Sequence, residues 1–272
     1  MARSSRARKA GEDAEKRKWT LIILVTIALL AVVGVSYFSL VRGARPLDKV
    51  TLCPASPDSL TVLVVDVTDP MNTPQKQDFL NQLDRLRASI PKHGQLSIFK
   101  VDATSDKLLQ PVITKCNPGN GEDADDLTGN PVRDKKRWED EFKAPLDQAF
   151  ETVLSETEAA RSPILESIQS VALTEFQKTG HENKPRRLIV ASDLIQNTEA
   201  ISFYKELPEA EEFLASDAFS RVRTDLRDIK VELWMLQRAD FSRTQPRALP
   251  DLWDAIISKQ GGEVTRIYTV SG

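Results

Sequence analysis

The stretch TVLVVDVTDP, residues 61–70, constrains the fold more than any other part of the chain. It runs five apolar or β-branched residues directly into an acid, then a hydroxyl and a turn. A strand that is apolar on both faces is typical of a parallel sheet covered by helices on both sides. Such sheets bind ligands just beyond the carboxyl ends of their strands. Asp66, Thr68 and Asp69 therefore lie where a site is expected.

The same pattern returns in RRLIVASD, residues 186–193, where a second buried strand again ends in an acid. Further strands are predicted at 96–101, 108–114, 230–236 and 263–269, and helices at 74–90, 138–154, 163–176, 209–226 and 250–259. Strands that alternate with helices predict an α/β domain over residues 61–272. Its expected architecture is a doubly wound, mostly parallel sheet with helices on both faces.

Residues 19–41 form a run of 23 residues without a charged side chain. At about 1.5 Å per residue, this run is long enough to cross a bilayer core as a helix. A cleaved signal peptide would have a shorter apolar core and a small-residue cleavage site, so an uncleaved anchor is expected. Seven Lys or Arg residues precede the run, and only Arg42, Arg45 and Lys49 follow it closely. This bias predicts a cytoplasmic N-terminus and an extracytoplasmic remainder, in a single-pass protein of the inner or plasma membrane.

The chain is thus expected to have four parts: a disordered, basic cytoplasmic tail (1–18), the transmembrane helix (19–41), a Pro- and Ser-containing linker (42–60) and the α/β domain (61–272). The first 45 residues carry nine basic and three acidic side chains, which leaves 28 basic and 37 acidic residues for the rest. An acidic body with only 6% aromatic residues argues against nucleic acid as a partner.

Three separated motifs lie at the ends of predicted elements: DVTDP (66–70) after the first strand, RSPI (161–164) at a helix start, and SDL (192–194) after a later strand. Together they resemble the metal-ion-dependent adhesion site of von Willebrand factor A (VWA) domains. The chain departs from the family pattern twice, with proline in place of the second Ser of the first motif and leucine in place of the usual Gly of the third.

The resemblance implies a site for Mg²⁺ or another divalent cation. Its ligands would be Asp66, Thr68, Ser162 and Asp193, whose hard oxygens suit Mg²⁺. An open coordination position would then accept a carboxylate from a partner protein. The alternative is that the two acids only cap turns and bind backbone amides, without a metal.

These observations predict a membrane-anchored, extracytoplasmic VWA-like module that binds another protein within an envelope complex, with the site directed away from the membrane. A scaffold protein with a non-functional metal site is the alternative. A metal-dependent hydrolase is less favoured, because the two histidines, His93 and His181, suggest no Ser-His-Asp or Cys-His arrangement. The protein is therefore not expected to be an enzyme.

The two cysteines, Cys53 and Cys116, are a candidate disulfide, because disulfides persist in oxidising compartments outside the cytoplasm. Two free thiols are the alternative. A bond would join the linker to the end of the hairpin predicted at 96–114.

Overall fold

The computed structural model describes residues 2–43, 45–67, 71–102, 108–122, 130–155, 160–181, 183–204, 206–238 and 245–270. The chain divides into two compact units, residues 1–46 and residues 47–272.

The first unit is a single helix, α1 (Ala2–Gly43). Within it, Glu15–Phe38 is long and apolar enough to cross a membrane, with a mean hydropathy of 2.7. This segment fits the anchor predicted over 19–41. Residues 2–18, which were predicted to be a disordered tail, continue the same helix in the structure. The tail is rich in Ala, Arg, Lys and Glu, which are strong helix formers and extend a helix once it has nucleated.

The second unit is built on a six-stranded sheet with the order β3-β2-β1-β4-β5-β6. The strands are β1 (Leu60–Val65), β2 (Gln95–Lys100), β3 (Ile113–Cys116), β4 (Arg186–Ser192), β5 (Ile229–Leu236) and β6 (Glu263–Val270). Only β3 is antiparallel to its neighbour, and it lies at one edge. The predicted fold class, a mostly parallel doubly wound sheet, is confirmed.

Helices cover both faces of this sheet. They are α2 (Thr73–Ser89), α3 (Pro131–Trp138), α4 (Ala144–Ser155), α5 (Ile164–Val171), α6 (Ala210–Leu214), α7 (Asp217–Val222) and α8 (Leu249–Lys259). Two π-helical turns, Glu139–Lys143 and Ala172–Phe176, follow α3 and α5. One core contains side chains of α2 and α4, and the other contains side chains of α5 to α8.

The central strand β1 contributes to both cores. Val62 and Val64 pack with one helical layer, and Leu63 and Val65 pack with the other. All six residues of the strand are buried. Because full burial of one such side chain stabilises the fold by about 1.5–3 kcal/mol, the strand is fixed from both sides.

Several element boundaries differ from the predictions. The partner of β2 was predicted at 108–114 but pairs only over Ile113–Cys116, which begins after Pro111, since proline cannot donate to a ladder. The helix predicted over 209–226 is two short helices, with Ser216 accepting a hydrogen bond at the start of the second. The helix predicted over 138–154 contains a π-helical turn immediately before α4, which carries Pro145 at its second position.

Part of the predicted linker belongs to the second unit. Leu47 forms an isolated bridge with Pro54, and Cys53 is bonded to Cys116 with a Cα–Cα distance of 4.8 Å. The predicted disulfide is therefore confirmed. Closing a loop with a sequence separation of 63 residues stabilises by about 4 kcal/mol in the chain-entropy account. Cys116 pairs with Gln95, so the bond lies at the end of the sheet where the parallel strands begin.

Candidate functional site

The candidate site lies at the carboxyl ends of β1 and β4, where the strand order reverses. From β1 the chain passes to β2 on one side of the sheet, whereas β4 continues to β5 on the other. A crevice at such a switch point is the usual ligand site of an open α/β sheet. The five side chains that meet there are termed the rim: Asp66, Ser162, Ser192, Asp193 and Arg238.

Asp66 is the first residue after β1 and is almost fully buried, with 3% of its surface exposed. Its Oδ2 atom accepts two hydrogen bonds, from Ser162 Oγ at 2.6 Å and from Ser192 Oγ at 2.9 Å. Hydrogen bonds to an ionised carboxylate are shorter and stronger than bonds between neutral groups. The two hydroxyls therefore stabilise a buried negative charge.

Ser162 does not cap a helix, contrary to the prediction, because α5 begins two residues later at Ile164. Instead, its backbone exchanges hydrogen bonds with Asn197, at 2.8 and 2.9 Å. At the start of α5, the Leu165 amide donates a hydrogen bond to Gln196 Oε1 at 2.9 Å. The loop after β4 thus binds an amide of the first turn, and the Ser162 hydroxyl donates to Asp66.

Asp193 follows β4 and is also buried. Its Oδ1 accepts from the Ile195 amide at 2.9 Å, and Oδ2 accepts from the Nε and a terminal nitrogen of Arg238. Burial raises the pKa of Asp193 to about 6; the guanidinium of Arg238 opposes this rise and the charge of Asp66 adds to it. Ser192 Oγ lies 3.4 Å from Asp193 Oδ1, so one serine links the two acids.

Arg238 follows β5 and is positioned at both its backbone and its side chain. Its amide donates to Gln245 Oε1 at 2.9 Å, and its guanidinium donates to Tyr204 Oη at 2.9 Å. Gln245 Nε2 donates in turn to the carbonyls of Asp193 and Leu236, at 2.9 and 2.8 Å. The buried amide of Gln245 thus joins the ends of β4 and β5 to the backbone of Arg238.

Leu194 occupies the position at which the VWA pattern has glycine. Its φ is +64°, in the left-handed region that glycine adopts without strain. The side chain is nonetheless fully buried, and the Leu194 carbonyl accepts from Trp253 Nε1 at 2.8 Å. Since this conformation costs an L-residue about 1–2 kcal/mol, packing against the core has to offset it.

The structure brings together Asp66, Ser162 and Asp193 of the four predicted metal ligands, whereas Thr68 lies outside the described residues. Mg²⁺ requires about six oxygen ligands, several of them waters, around an unopposed double charge. Among the residues described, no group of three or more Asp, Glu, His and Cys side chains could hold a metal. Because the Arg238 guanidinium is paired with Asp193, the described donors do not fit Mg²⁺. Its binding stays a prediction from the sequence.

Sequence reasoning missed three residues of this region: Ser192, Arg238 and Gln245. A signal for two of them was present. Ser192 directly precedes Asp193, and Arg238 comes two residues after the strand predicted at 230–236. The ends of neighbouring parallel strands share one edge, so the reasoning applied to Asp66 and Asp193 also applies to Arg238. Gln245 carries no such signal.

No family model matches the chain, and no curated protein matches it. Among solved structures, the chain is similar to the VWA domain of SpRpn10, with 8% identity and a TM-score of 0.38 over 78% of this chain and 87% of that one. It is also similar to BatB from Bacteroides thetaiotaomicron, with 13% identity and a TM-score of 0.36 over 79% and 91% of the two chains. It is similar as well to an aerotolerance-related membrane protein from Bacteroides fragilis, with 12% identity and a TM-score of 0.35 over 79% of this chain and 92% of that one. The fold class itself rests on the strand order and the two helical layers.

Proposed function

We propose that this chain is a membrane-anchored, extracytoplasmic protein-interaction module that contacts a partner through the exposed Tyr204 and the partly exposed Arg238, which lie over the buried acids of the rim. One observation carries the proposal: two buried carboxylates and a guanidinium converge beyond three adjacent parallel strands. Burying charged groups costs free energy that apolar side chains of the same size would not. Their convergence at the ligand-binding end of the sheet therefore favours a functional surface over a purely structural one.

Two features support the location. The apolar segment Glu15–Phe38 fits a membrane anchor. The Cys53–Cys116 bond belongs to an oxidising compartment, because cytosolic thiols are kept reduced. The disulfide agrees with the orientation that the flanking basic residues predict, and the two features together favour a place in an envelope complex. The proposal assigns no reaction to the protein.

The test is photo-crosslinking of the full-length chain in membranes of its native host. Tyr204, which is 43% exposed and contacts Arg238, is replaced by a photoreactive phenylalanine. Leu173, which is 46% exposed and lies after α5, receives the same group as a matched control. We expect a discrete adduct from position 204 that is lost in the Ser162→Ala background, and none from position 173. Adducts that arise equally from both positions would contradict the proposal.

The pairing of Arg238 with Asp193 also favours a second candidate, a scaffold protein whose metal site is non-functional. In that case partner contacts use another surface of the domain or the helix α1. The same experiment separates the two, because a scaffold that uses another surface would give no discrete adduct from position 204. Its adducts would also be unchanged by Ser162→Ala.

A further inference from the structure

We infer that Arg238 is the resident cation of the rim: its guanidinium takes the place beside Asp193 that a divalent ion would need, so the rim is assembled without a metal. The inference deepens the proposed function, on which it rests for its biological meaning, by naming the group that neutralises the proposed contact surface. It predicts that partner capture does not depend on Mg²⁺.

The geometry of the pair is the first argument. Nε and a terminal nitrogen of Arg238 both donate to Asp193 Oδ2. Asp193 is 6% exposed, and the side chain of Arg238 is 20% exposed. A guanidinium presents fixed, planar donors, two of which converge here on one carboxylate oxygen, and it stays charged at every physiological pH. The pair is therefore a largely buried ion pair with a fixed geometry, unlike a mobile ion pair on the surface.

The second argument is that the rest of the protein places Arg238 in advance. Its amide is bound to the buried Gln245, which also binds the carbonyls of Asp193 and Leu236. At the far end, a terminal nitrogen donates to Tyr204 Oη, and the guanidinium carbon lies 5.6 Å from the centroid of the Tyr204 ring. Moving Arg238 away from Asp193 would break contacts at both ends of the residue.

The balance of charge is the third argument. Asp66 and Asp193 each carry one negative charge when ionised, and Arg238 carries one positive charge close to them. A divalent ion that entered this space would be repelled by the guanidinium and would have to compete with it for Asp193. Of the two acids of the rim, Asp193 would then remain paired with Arg238, and Asp66 would be the carboxylate left to the ion. Removing Arg238 would leave two buried acids and two serine hydroxyls, which is an oxygen-rich set that suits a hard cation.

The experiment is a titration of the purified full-length chain in detergent micelles with Mn²⁺, a paramagnetic substitute for Mg²⁺, in which electron paramagnetic resonance measures free Mn²⁺. We expect the wild-type chain to show no saturable binding. The Arg238→Ala variant, which leaves room for the ion and its waters, should bind a single Mn²⁺ saturably, at least about tenfold more tightly than the weakest affinity that the titration can detect for the wild type. Adding Asp193→Asn to that variant should abolish the binding.

Arg187→Ala is the matched control. Arg187 also forms a two-nitrogen pair with a mostly buried acid, Glu232, at 2.9 and 2.6 Å, but it lies near the start of β4, away from the rim. We expect its Mn²⁺ titration to equal that of the wild type. The Arg238→Lys variant retains a positive charge and should also bind no Mn²⁺.

Two results would overturn the inference: saturable Mn²⁺ binding by the wild type that Asp193→Asn removes, or a folded Arg238→Ala variant that binds no better than the wild type. If Arg238→Ala does not fold, the wild-type and Arg238→Lys titrations decide the matter alone. The outcome is independent of the crosslinking experiment, because no partner takes part in it. In membranes, chelation should leave the Tyr204 adduct unchanged, and its loss on chelation would likewise overturn the inference.

Discussion

Two of the arginine–carboxylate clusters among the described residues differ in which partner is buried. In the rim, the acids Asp66 and Asp193 are buried and Arg238 lies at the edge. In a second cluster, between α2 and α4, Arg87 is 2% exposed and bonds to Asp84 and Asp147, which are 56% and 39% exposed. The second cluster is termed the helix cluster: Asp84, Arg87, Lys143 and Asp147.

This difference decides the direction of the pKa shift. Burial works to raise the pKa of Asp147 too, but hydrogen bonds from Arg87 and Lys143 outweigh it and hold that pKa below the usual value of 3.8. For Asp193, burial outweighs Arg238 and the pKa rises to about 6. An arginine therefore stabilises the charged form of the more exposed acid, whereas it only partly compensates the desolvation of the buried one.

The largest effect is predicted when the arginine of each cluster is replaced by methionine, an apolar side chain of similar length. Arg238→Met leaves two buried acids without their cation, so we expect it to lower the free energy of unfolding by about 4 kcal/mol at neutral pH. Arg87→Met leaves only exposed acids, which water can solvate, and should change it by less than about 1 kcal/mol. Denaturant titration of the full chain in micelles, followed by tryptophan fluorescence, measures both. Equal losses would show that burial of the acid does not decide the difference.

The second prediction is a pH dependence of opposite sign in the two clusters. Because the folded pKa of Asp193 is raised, its contribution to stability is fully present below the unfolded pKa of 3.8 and is lost as pH rises through about 6. The loss amounts to about 3 kcal/mol. Asp147 has a lowered pKa, so its contribution is present above 3.8 and is lost as pH falls through the folded value.

Unfolding of Asp193→Asn and Asp147→Asn across this pH range checks both signs. Relative to Asp193→Asn, the wild type should become less stable as the pH rises from about 4 to 6.5. Relative to Asp147→Asn, it should become less stable as the pH falls below about 4. A difference curve for Asp193→Asn that stays flat would mean that this acid does not titrate with a raised pKa.

A third prediction concerns the hydroxyls that serve the rim. Ser162→Ala removes a 2.6 Å hydrogen bond to the buried carboxylate of Asp66 and should cost about 2 kcal/mol of stability. Ser167→Ala is its matched control, since this buried hydroxyl donates at 2.7 Å to the neutral carbonyl of Pro163. We expect the control substitution to lower the free energy of unfolding by about 1 kcal/mol. If the control costs as much as Ser162→Ala, the charge of Asp66 does not strengthen its hydrogen bond.

The smallest predicted effect tests the backbone of the rim. Leu194→Ala and Leu194→Gly both lose the buried side chain, but only glycine adopts a φ of +64° without strain. We therefore expect Leu194→Gly to be more stable than Leu194→Ala by about 1 kcal/mol, although it has one carbon less. Helix α2 offers the control, because Ala88 lies within it, where the same change to glycine should destabilise by about 1 kcal/mol.

The sequence alone predicted the sheet, its helical layers, the apolar helix and the disulfide. Strand and helix periodicities are local, and an apolar run such as residues 61–65 has few alternatives to a doubly buried strand. The same rule predicted that Asp66 and Asp193 would meet, because parallel strands end at one edge. Boundaries were less accurate where a single residue decides them, as at Ser162, where Gln196 supplies the cap from a distant loop.

Only the tertiary structure decided what the two acids meet. The pairing of Asp193 with Arg238 depends on the register of β4 and β5 and on Gln245, which joins both strand ends to the Arg238 backbone. No local pattern encodes such a contact, since it joins residues 45 positions apart through side chains whose directions the fold determines. The sequence thus determined where a charged site would form, and packing determined that an arginine lies within it.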